Sequence, residues 1–263
     1  MIRTDLSNEE YHADKSAISS TDVKTVAKST LFHWKNMQRR NSTAFDQGSA
    51  VHALLLEPEK QLVLRGPKDR RGNAWKDAYA EAEAAGKVLL PEGEYYEAEA
   101  MAQAALFTPA VSILLQDENL VAEASIFAEC PETGLKLKCR PDGFIADAGI
   151  VLDIKTAQDV SPHGFAKAVN QYGYDLQAAF YIYVLQLAGY QDVDSFIFIG
   201  IEKSAPYCVQ VHELSEMYLA SAHNRMMAAL RKIQIANETN DFGTGWPDVN
   251  TIALPEWLAD DAF

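Results

Sequence analysis

The chain has 263 residues, of which 48% are hydrophobic and 23% are charged, so it can bury a core in one globular domain or two small ones and is too apolar for a disordered chain. Its 37 acidic and 23 basic residues give a net charge of −14, which excludes binding of nucleic acid or an anionic membrane by overall charge alone. The three cysteines are too few for a disulfide framework, and we find neither a signal peptide nor a membrane span. We therefore expect a cytoplasmic protein that does not bind membranes.

The charge is unevenly distributed along the chain. Residues 24–76 carry 11 basic and 4 acidic side chains, a net charge of +7, so the remainder carries −21. Solvated helix faces are one interpretation of this basic segment, and a surface that faces phosphate groups is the other. Under the second interpretation, the residues expected to contact DNA are Lys24, Lys28, Arg70 and Arg71, with Arg140 as a further candidate.

The order of predicted elements favours an α/β fold in which a helical N-terminal portion precedes a sheet. Apolar spacing and turn residues predict helices over about 16–40, 45–58, 74–86, 92–106, 161–171, 174–190 and 215–237. The second pair of N-terminal helices, over 74–86 and 92–106, is expected to be exposed and amphipathic. Strand patterns lie at 121–129, 135–140, 142–147, 149–156, 194–202 and 207–214. The first four predicted strands are separated by turn residues, which indicates an antiparallel meander.

Two short segments of this meander bring carboxylates together. The sequences RPDGF and VLDIKT place Asp142 and Asp153 eleven residues apart, with Lys155 two residues beyond Asp153. Residues i and i+2 of a strand share a face, so Asp153 and Lys155 project together while Ile154 points into the core. Converging carboxylates repel each other unless a cation lies between them, and hard oxygen ligands suit Mg²⁺ or Mn²⁺. A divalent ion beside a lysine ammonium indicates hydrolysis of a phosphodiester bond.

Four further side chains lie where such a site would use them. Glu123 begins the first strand of the meander and offers another carboxylate, and His52 offers a metal-binding imidazole on a helix face. Gln177 and Tyr181 are four residues apart, so they share one face of the helix that follows the lysine strand. Taken one at a time, each feature is also explained by turn chemistry, a surface ion pair or core packing.

Together, four ordered motifs resemble those of the PD-(D/E)XK nuclease superfamily, and specifically of its RecB-like branch that contains the RecE exonuclease, also called exonuclease VIII. GSAVHALLLEP is similar to the histidine motif, RPDG to the first aspartate motif, LDIKT to the D-x-K motif and QAAFY to the Q-x-x-x-Y motif. AISSTDVKTVAKSTLFHWKNM is similar to the helical opening of this branch. The resemblance implies a central mixed β-sheet flanked by helices in a single nuclease domain over 1–263. Its helical part is about 1–118, its catalytic sheet core about 119–237, and its acidic C-terminal segment 238–263.

The resemblance also implies an activity and a set of roles. The activity is a Mg²⁺-dependent exonuclease that degrades linear double-stranded DNA from its 5′ ends and leaves 3′ single-stranded tails for recombination, with Mn²⁺ as a substitute for Mg²⁺. Lys155 would orient the attacking water, Gln177 and Tyr181 would support the site or contact the substrate, and Glu123 is an additional catalytic carboxylate. The implied metal ligands are His52, Asp142, Asp153 and the carbonyl of Ile154.

Expected partners are the ends of double-stranded DNA, a RecT-type single-strand-annealing protein, and further copies of this chain in a ring-shaped homo-oligomer of phage or prophage origin. Some RecB-like relatives hold an iron–sulfur cluster on four cysteines, but this chain has three cysteines and no such cluster is expected. Three alternatives remain open: a RecB-type nuclease on single-stranded ends or flaps, a non-cleaving module that binds DNA or a partner protein, and an acidic scaffold with solvated carboxylates.

Overall fold

The computed structural model describes residues 1–37 and 43–253 of the chain. Within these ranges the helices are α1 (Asn8–Ala13), α2 (Ser20–Lys28), α3 (Leu31–Asn36), α4 (Thr43–Leu56), α5 (Asn73–Ala84), α6 (Glu92–Phe107), α7 (Pro109–Leu115), α8 (Pro162–Tyr172), α9 (Tyr174–Leu187) and α10 (Glu216–Thr239). The strands are β1 (Ile2–Arg3), β2 (Val63–Arg65), β3 (Val88–Leu90), β4 (Leu120–Ala122), β5 (Ser125–Glu129), β6 (Lys136–Cys139), β7 (Gly143–Ile145), β8 (Ile150–Ala157), β9 (Ser195–Glu202) and β10 (Val209–Glu213). The end of the acidic C-terminal segment, 254–263, lies outside the described residues.

A five-stranded mixed sheet forms the centre of the molecule, which confirms the predicted fold class. Its strand order is β10-β9-β8-β7-β4; β8 and β9 are parallel and the other neighbours are antiparallel. Parallel neighbours need a long crossover connection, and here α8 and α9 supply it between β8 and β9. Two smaller sheets accompany the central one, with strand orders β1-β5-β6 and β2-β3.

The predicted antiparallel meander is wrong in one respect. The first predicted strand divides at Glu123, whose φ of +50° turns the chain, so β4 pairs with β7 while β5 pairs with β6 in a separate sheet. Between β6 and β7 lies Pro141, which has no N–H to donate to a strand ladder, and these two strands belong to different sheets. The hairpin of β7 and β8, with Gly143 opposite Leu152, agrees with the prediction.

Helices cover both faces of the parallel strands, so the side chains that point to either face of the sheet are buried. On one face, Phe196 and Phe198 belong to a core shared with α2, α9 and α10. On the other face, Ile154, Ile199 and Ile201 belong to a core shared with α4 and α6. Burial on both faces explains why these strands contain nearly continuous apolar runs.

The N-terminal portion is helical, as predicted, but the sequence patterns did not indicate several of its elements: β1, α1, α7 and the parallel pair β2–β3. The helix predicted over 92–106 is α6, and it is not simply exposed. Its residues Ala98, Met101, Ala102 and Ala105 follow the i, i+3, i+4, i+7 pattern of one helix face and are buried in the core that includes α4.

No single helix within the described ranges has the length and apolar composition needed to cross a membrane; α6 and α7 reach them only as a pair bent by 93°.

Candidate active site

Strand β8 provides the backbone on which the site is built. Its pairing with β7 ends at Leu152, whereas its pairing with β9 continues to Ala157, so the edge of β8 that faces away from β9 has no strand partner at Ile154. Unpaired backbone groups must find other partners in a folded protein. The N–H of Ile154 donates to Oδ2 of Asp142 at 2.6 Å, and the carbonyl of Ile154 lies 2.9 Å from Nε2 of His52. The end of a strand pairing thus fixes two side chains of the site.

Three ligand-type side chains meet beside this edge. His52 comes from α4, Asp142 directly precedes β7, and Glu123 lies at the turn between β4 and β5. One ligand atom from each residue lies within 4.8 Å of the other two, and Nδ1 of His52 is 3.4 Å from Oδ2 of Asp142. The N–H of Glu123 donates to the carbonyl of Asp142 at 3.1 Å, so the positive φ of Glu123 serves to place its carboxylate in this cluster.

Asp153 and Lys155 project from the same face of β8, as their spacing predicts. Nζ of Lys155 lies 2.5 Å from Oδ2 of Asp153, and Nε2 of Gln177 on α9 donates to Oδ1 of Asp153 at 2.6 Å. The amide oxygen of Gln177 in turn accepts a hydrogen bond from Nζ of Lys24 at 3.2 Å. A continuous polar chain therefore joins α2, α9 and β8 through the buried carboxylate of Asp153.

Burial and like charges shift the pKa of several of these groups. Burial, and after it the charge of Asp142, raise the pKa of Glu123 to about 7. Burial also raises the pKa of Asp153, against the attraction of Lys155. Among the cations, burial and the charge of Lys155 lower the pKa of Lys24 to about 8. Burial opposes the protonation of His52, but Asp142 outweighs it and raises the pKa of that imidazole.

This donor set fits a divalent metal ion. Within the described part of the chain, Oδ2 of Asp153 is buried and receives no hydrogen bond of good geometry, although the ammonium of Lys155 is close. The carboxylates of Glu123 and Asp142 and the imidazole of His52 converge beside the same strand. Carboxylate, carbonyl and imidazole groups are ligands for Mg²⁺ and Mn²⁺, and an ion would offset the burial and the repulsion from Asp142 that raise the pKa of Glu123. Of the four predicted ligands, His52 contacts both the Asp142 carboxylate and the Ile154 carbonyl, whereas Asp153 is held by Lys155 and Gln177.

Tyr181 is buried one helical turn after Gln177 and lines a cavity of about 380 Å³ together with His52, Glu123 and Asp142. Burial raises the pKa of the Tyr181 hydroxyl well above its ordinary value, so it stays protonated.

The residues predicted to contact DNA lie in different environments. Lys24 lies inside the site, and Nζ of Lys28 donates to the carbonyls of Asn170 and Gln171. The guanidinium of Arg70 pairs with the carboxylate of Glu94, whereas the side chain of Arg71 is 88% exposed. Arg140 donates to the Ser125 hydroxyl and the Leu6 carbonyl, so its guanidinium anchors the N-terminal segment beside the cavity.

Sequence reasoning missed one residue that touches the site. The ring of Tyr174, the first residue of α9, lies 5.1 Å from Nζ of Lys155. The available signal was its spacing, because Tyr174 precedes Gln177 by three residues and so shares its helix face. The ammonium of Lys24, which the sequence predicts to contact DNA, lies in the polar chain described above.

Comparison with known proteins gives one family. The model of a PDDEXK-like domain of unknown function (DUF3799) matches residues 16–244. No curated protein matches the chain. Among solved structures, a predicted exonuclease from Eubacterium rectale has a TM-score of 0.63 at 17% identity, over 98% of this chain and 98% of that chain. A phage-related exonuclease from Haemophilus somnus has a TM-score of 0.38 at 10% identity, over 88% of this chain and 99% of that one. An alkaline exonuclease from Laribacter hongkongensis has a TM-score of 0.36 at 13% identity, over 89% and 96%.

The matched family and the neighbour from Eubacterium rectale confirm the PD-(D/E)XK fold that the four motifs predict, and they are consistent with the RecE-like branch of that superfamily.

Proposed function

Because the chain belongs to the PDDEXK-like family, whose model covers residues 16–244, we propose that it is a divalent-metal-dependent nuclease. The observation that carries this proposal is the convergence of His52, Glu123 and Asp142 next to the ion pair of Asp153 and Lys155. A module that only binds DNA has no need of the buried Asp153 beside the Asp142 carboxylate and the Lys155 ammonium, since taking charged groups out of water reduces stability.

Each residue of the site has a role that its contacts support. His52, Glu123, Asp142, Asp153 and the carbonyl of Ile154 would hold the ion. When bound, the ion polarises a phosphoryl oxygen and lowers the pKa of a water molecule. Lys155 is positioned by Asp153 and by the ring of Tyr174, so its ammonium can donate to the attacking water or to a phosphate oxygen that gains negative charge. Gln177 fixes one oxygen of Asp153 and thereby the direction of the other.

The finer proposal follows the sequence resemblance. We assign to the chain an exonuclease activity that depends on Mg²⁺, degrades linear double-stranded DNA from 5′ ends and leaves 3′ single-stranded tails for recombination. A RecT-type annealing protein is the proposed partner, and a ring-shaped homo-oligomer is the proposed assembly. Light scattering coupled to gel filtration tests the assembly, because a ring requires several copies whereas a monomer of 29.1 kDa would contradict it.

The activity is tested by incubating the full chain with end-labelled linear duplex, closed circular duplex and single strand, in Mg²⁺, Mn²⁺ or chelator. The expected result is metal-dependent release of acid-soluble nucleotide from linear duplex, with 5′ label released first and the circle left intact. Faster digestion of single strands or flaps would favour the RecB-type alternative. Binding without cleavage of any substrate would favour the non-cleaving module.

A further inference from the structure

A groove rich in lysine and tyrosine lies next to the candidate active site. It has a volume of about 310 Å³, and we call it the lysine–tyrosine groove after Lys167, Tyr172, Tyr174 and Lys203, which line it together with Thr156. A pocket of this size accepts a small molecule, and hence one or two nucleotides but not a duplex. Apart from Tyr174, whose ring lies beside Lys155, the lysines and tyrosine that line the groove have no role in the proposed chemistry.

The groove is continuous with the catalytic strand. Thr156 directly follows Lys155 on β8, and the Tyr174 ring that lines the groove is the ring beside Nζ of Lys155. A substrate strand with a phosphate at Lys155 would therefore meet the groove with its adjacent nucleotide. This step rests on the proposed function, which places the scissile phosphate beside Lys155.

Cationic side chains concentrate around this groove in an otherwise acidic chain. The turn between α8 and α9 is crossed by Lys24 and Lys28; a Cβ atom added to Gly173 would lie 3.3 Å from the first side chain and 3.2 Å from the second. Gly173 has a φ of +66°, which ends α8 and begins α9 within one residue. Asp159 is the one acidic residue among the described residues that line the groove, and its carboxylate accepts the N–H of Ser161 at 2.8 Å.

The groove also offers an aromatic surface. Tyr172 is 55% exposed, and its ring lies 5.6 Å from that of Tyr174 with an angle of 33° between the planes. Exposed aromatic rings next to lysines are the combination by which proteins bind single-stranded nucleic acid, because unpaired bases stack on the rings while ammonium groups contact the phosphates. Bases within a duplex are stacked on each other and cannot use such a ring.

We propose that the lysine–tyrosine groove binds unpaired nucleotides of the DNA strand adjacent to the scissile phosphate. Lys167 and Lys203 contact the phosphates of this strand, and Tyr172 stacks on a base. The groove thus holds a single strand in line with Lys155 and helps to separate the strand that is cut from its complement.

The test measures fluorescence anisotropy of a short labelled oligothymidylate with the full chain in chelator, which prevents cleavage. For the double variant Lys167→Ala/Lys203→Ala, we expect the slope of log K against log salt concentration to become shallower by about 1.4, because each lost phosphate contact on a single strand contributes about 0.7. For Tyr172→Ala we expect binding weaker by about fivefold or more, the loss of one stacked base, and for Tyr172→Phe binding close to that of the original chain. Lys232→Ala and Tyr79→Ala change exposed residues on α10 and α5 and serve as matched controls.

The groove and the proposed activity can fail separately. If the double variant and Tyr172→Ala bind the oligonucleotide as the two controls do, the groove is not a strand site, whether or not the chain cleaves DNA. If the groove variants lose binding but the original chain releases no nucleotide in Mg²⁺ or Mn²⁺, the result supports strand binding in the groove and contradicts the proposed activity. Thermal unfolding of each variant shows that a loss of binding does not arise from a loss of fold.

Discussion

The candidate active site has an anionic half and a cationic half, and in each half two groups of like charge lie close together. The anionic half consists of Glu123 and Asp142 with His52, and the cationic half of Lys24 and Lys155. In each half, one group is shifted toward its neutral form, whereas, despite burial, the pKa of Asp142 is lowered, with His52 and Lys155 favouring its charge, and the pKa of Lys155 is raised by Asp153 and Asp142. The pKa of Glu123 rises to about 7 from burial and the charge of Asp142, and the pKa of Lys24 falls to about 8 from burial and the charge of Lys155.

The difference between the halves indicates what each one binds. A divalent cation complements the anionic half, and a phosphate group complements the cationic half. Asp153 connects the two, because its Oδ2 contacts Lys155 while the charge of Asp142 acts on the same carboxylate. Under the proposed function, the site lowers the stability of the metal-free protein and in return binds a metal ion and a phosphodiester, a compromise common in active sites.

Asp153→Asn should have the largest effect, because it removes the carboxylate that joins the two halves while keeping the shape of the side chain. We expect nucleotide release from linear duplex in Mg²⁺ to fall by about 10³-fold, the scale of losing one preorganised electrostatic group. Asp192→Asn, in the exposed turn before β9, is the matched control and should keep full activity. Activity of Asp153→Asn within tenfold of that of the original chain would show that this carboxylate is not needed for catalysis.

Glu123→Gln should stabilise the protein when no divalent ion is present. The pKa of Glu123 is about 7 in the folded state against an ordinary 4.5, so this group costs stability that grows between pH 4.5 and pH 7 and is constant above. At pH 8 in chelator, we expect the variant to be about 2 kcal/mol more stable to urea, after allowance for partial exposure, and the difference to vanish near pH 4.

Added Mg²⁺ should reverse this order, because the original chain gains binding free energy that Glu123→Gln lacks. Glu118→Gln, at an exposed position before β4, is the control for loss of a surface charge. If Glu123→Gln is no more stable than the original chain at pH 8 in chelator, then burial and the repulsion from Asp142 do not destabilise the charged Glu123 carboxylate.

Lys24→Met should also stabilise the protein, because it removes one of the two crowded cations. We expect a smaller gain than for Glu123→Gln, since the substitution also removes the hydrogen bond to Gln177. The pKa of Lys24 is about 8 against an ordinary 10.5. The charged ammonium therefore lowers the free energy of unfolding by its full amount below pH 8, and this destabilisation disappears as the pH rises toward 10.5. We expect a gain of about 1 kcal/mol at pH 7, measured by urea unfolding, that narrows above pH 8. Lys232→Met is the exposed control, and a loss of stability at pH 7 would contradict the interpretation.

The smallest effect is expected from Arg71→Ala, which tests whether the cationic surface extends beyond the site into the basic segment 24–76. Arg71 is highly exposed, and a lost contact with duplex DNA should make the slope of log K against log salt concentration shallower by about 0.9. Arg231→Ala, which removes an exposed arginine paired with Glu132, should leave the slope unchanged. An unchanged slope for Arg71→Ala would remove it from the DNA interface.

Local patterns predicted most of the sheet core but less of the N-terminal portion. Apolar periodicity located β8, β9, α9 and α10 because these elements are long and bury whole faces. The strands β1, β2 and β3 have two or three residues each, too few to display a period. The division of the first meander strand at Glu123 depends on one residue with positive φ, which residue type does not reveal for a glutamate.

The residue order was enough to predict that Asp153 and Lys155 lie on one face of a strand, because the alternation of side chains along a strand is a local property of the backbone. It also determined that Asp142 returns to this strand through a tight hairpin. Three contacts could be seen only in the folded chain: His52 lies beside the carbonyl of Ile154, Lys24 donates to Gln177, and Tyr172 and Tyr174 line a groove next to the site. These contacts join elements far apart in the chain, and their geometry follows from helix packing and from the point where the pairing of two strands ends.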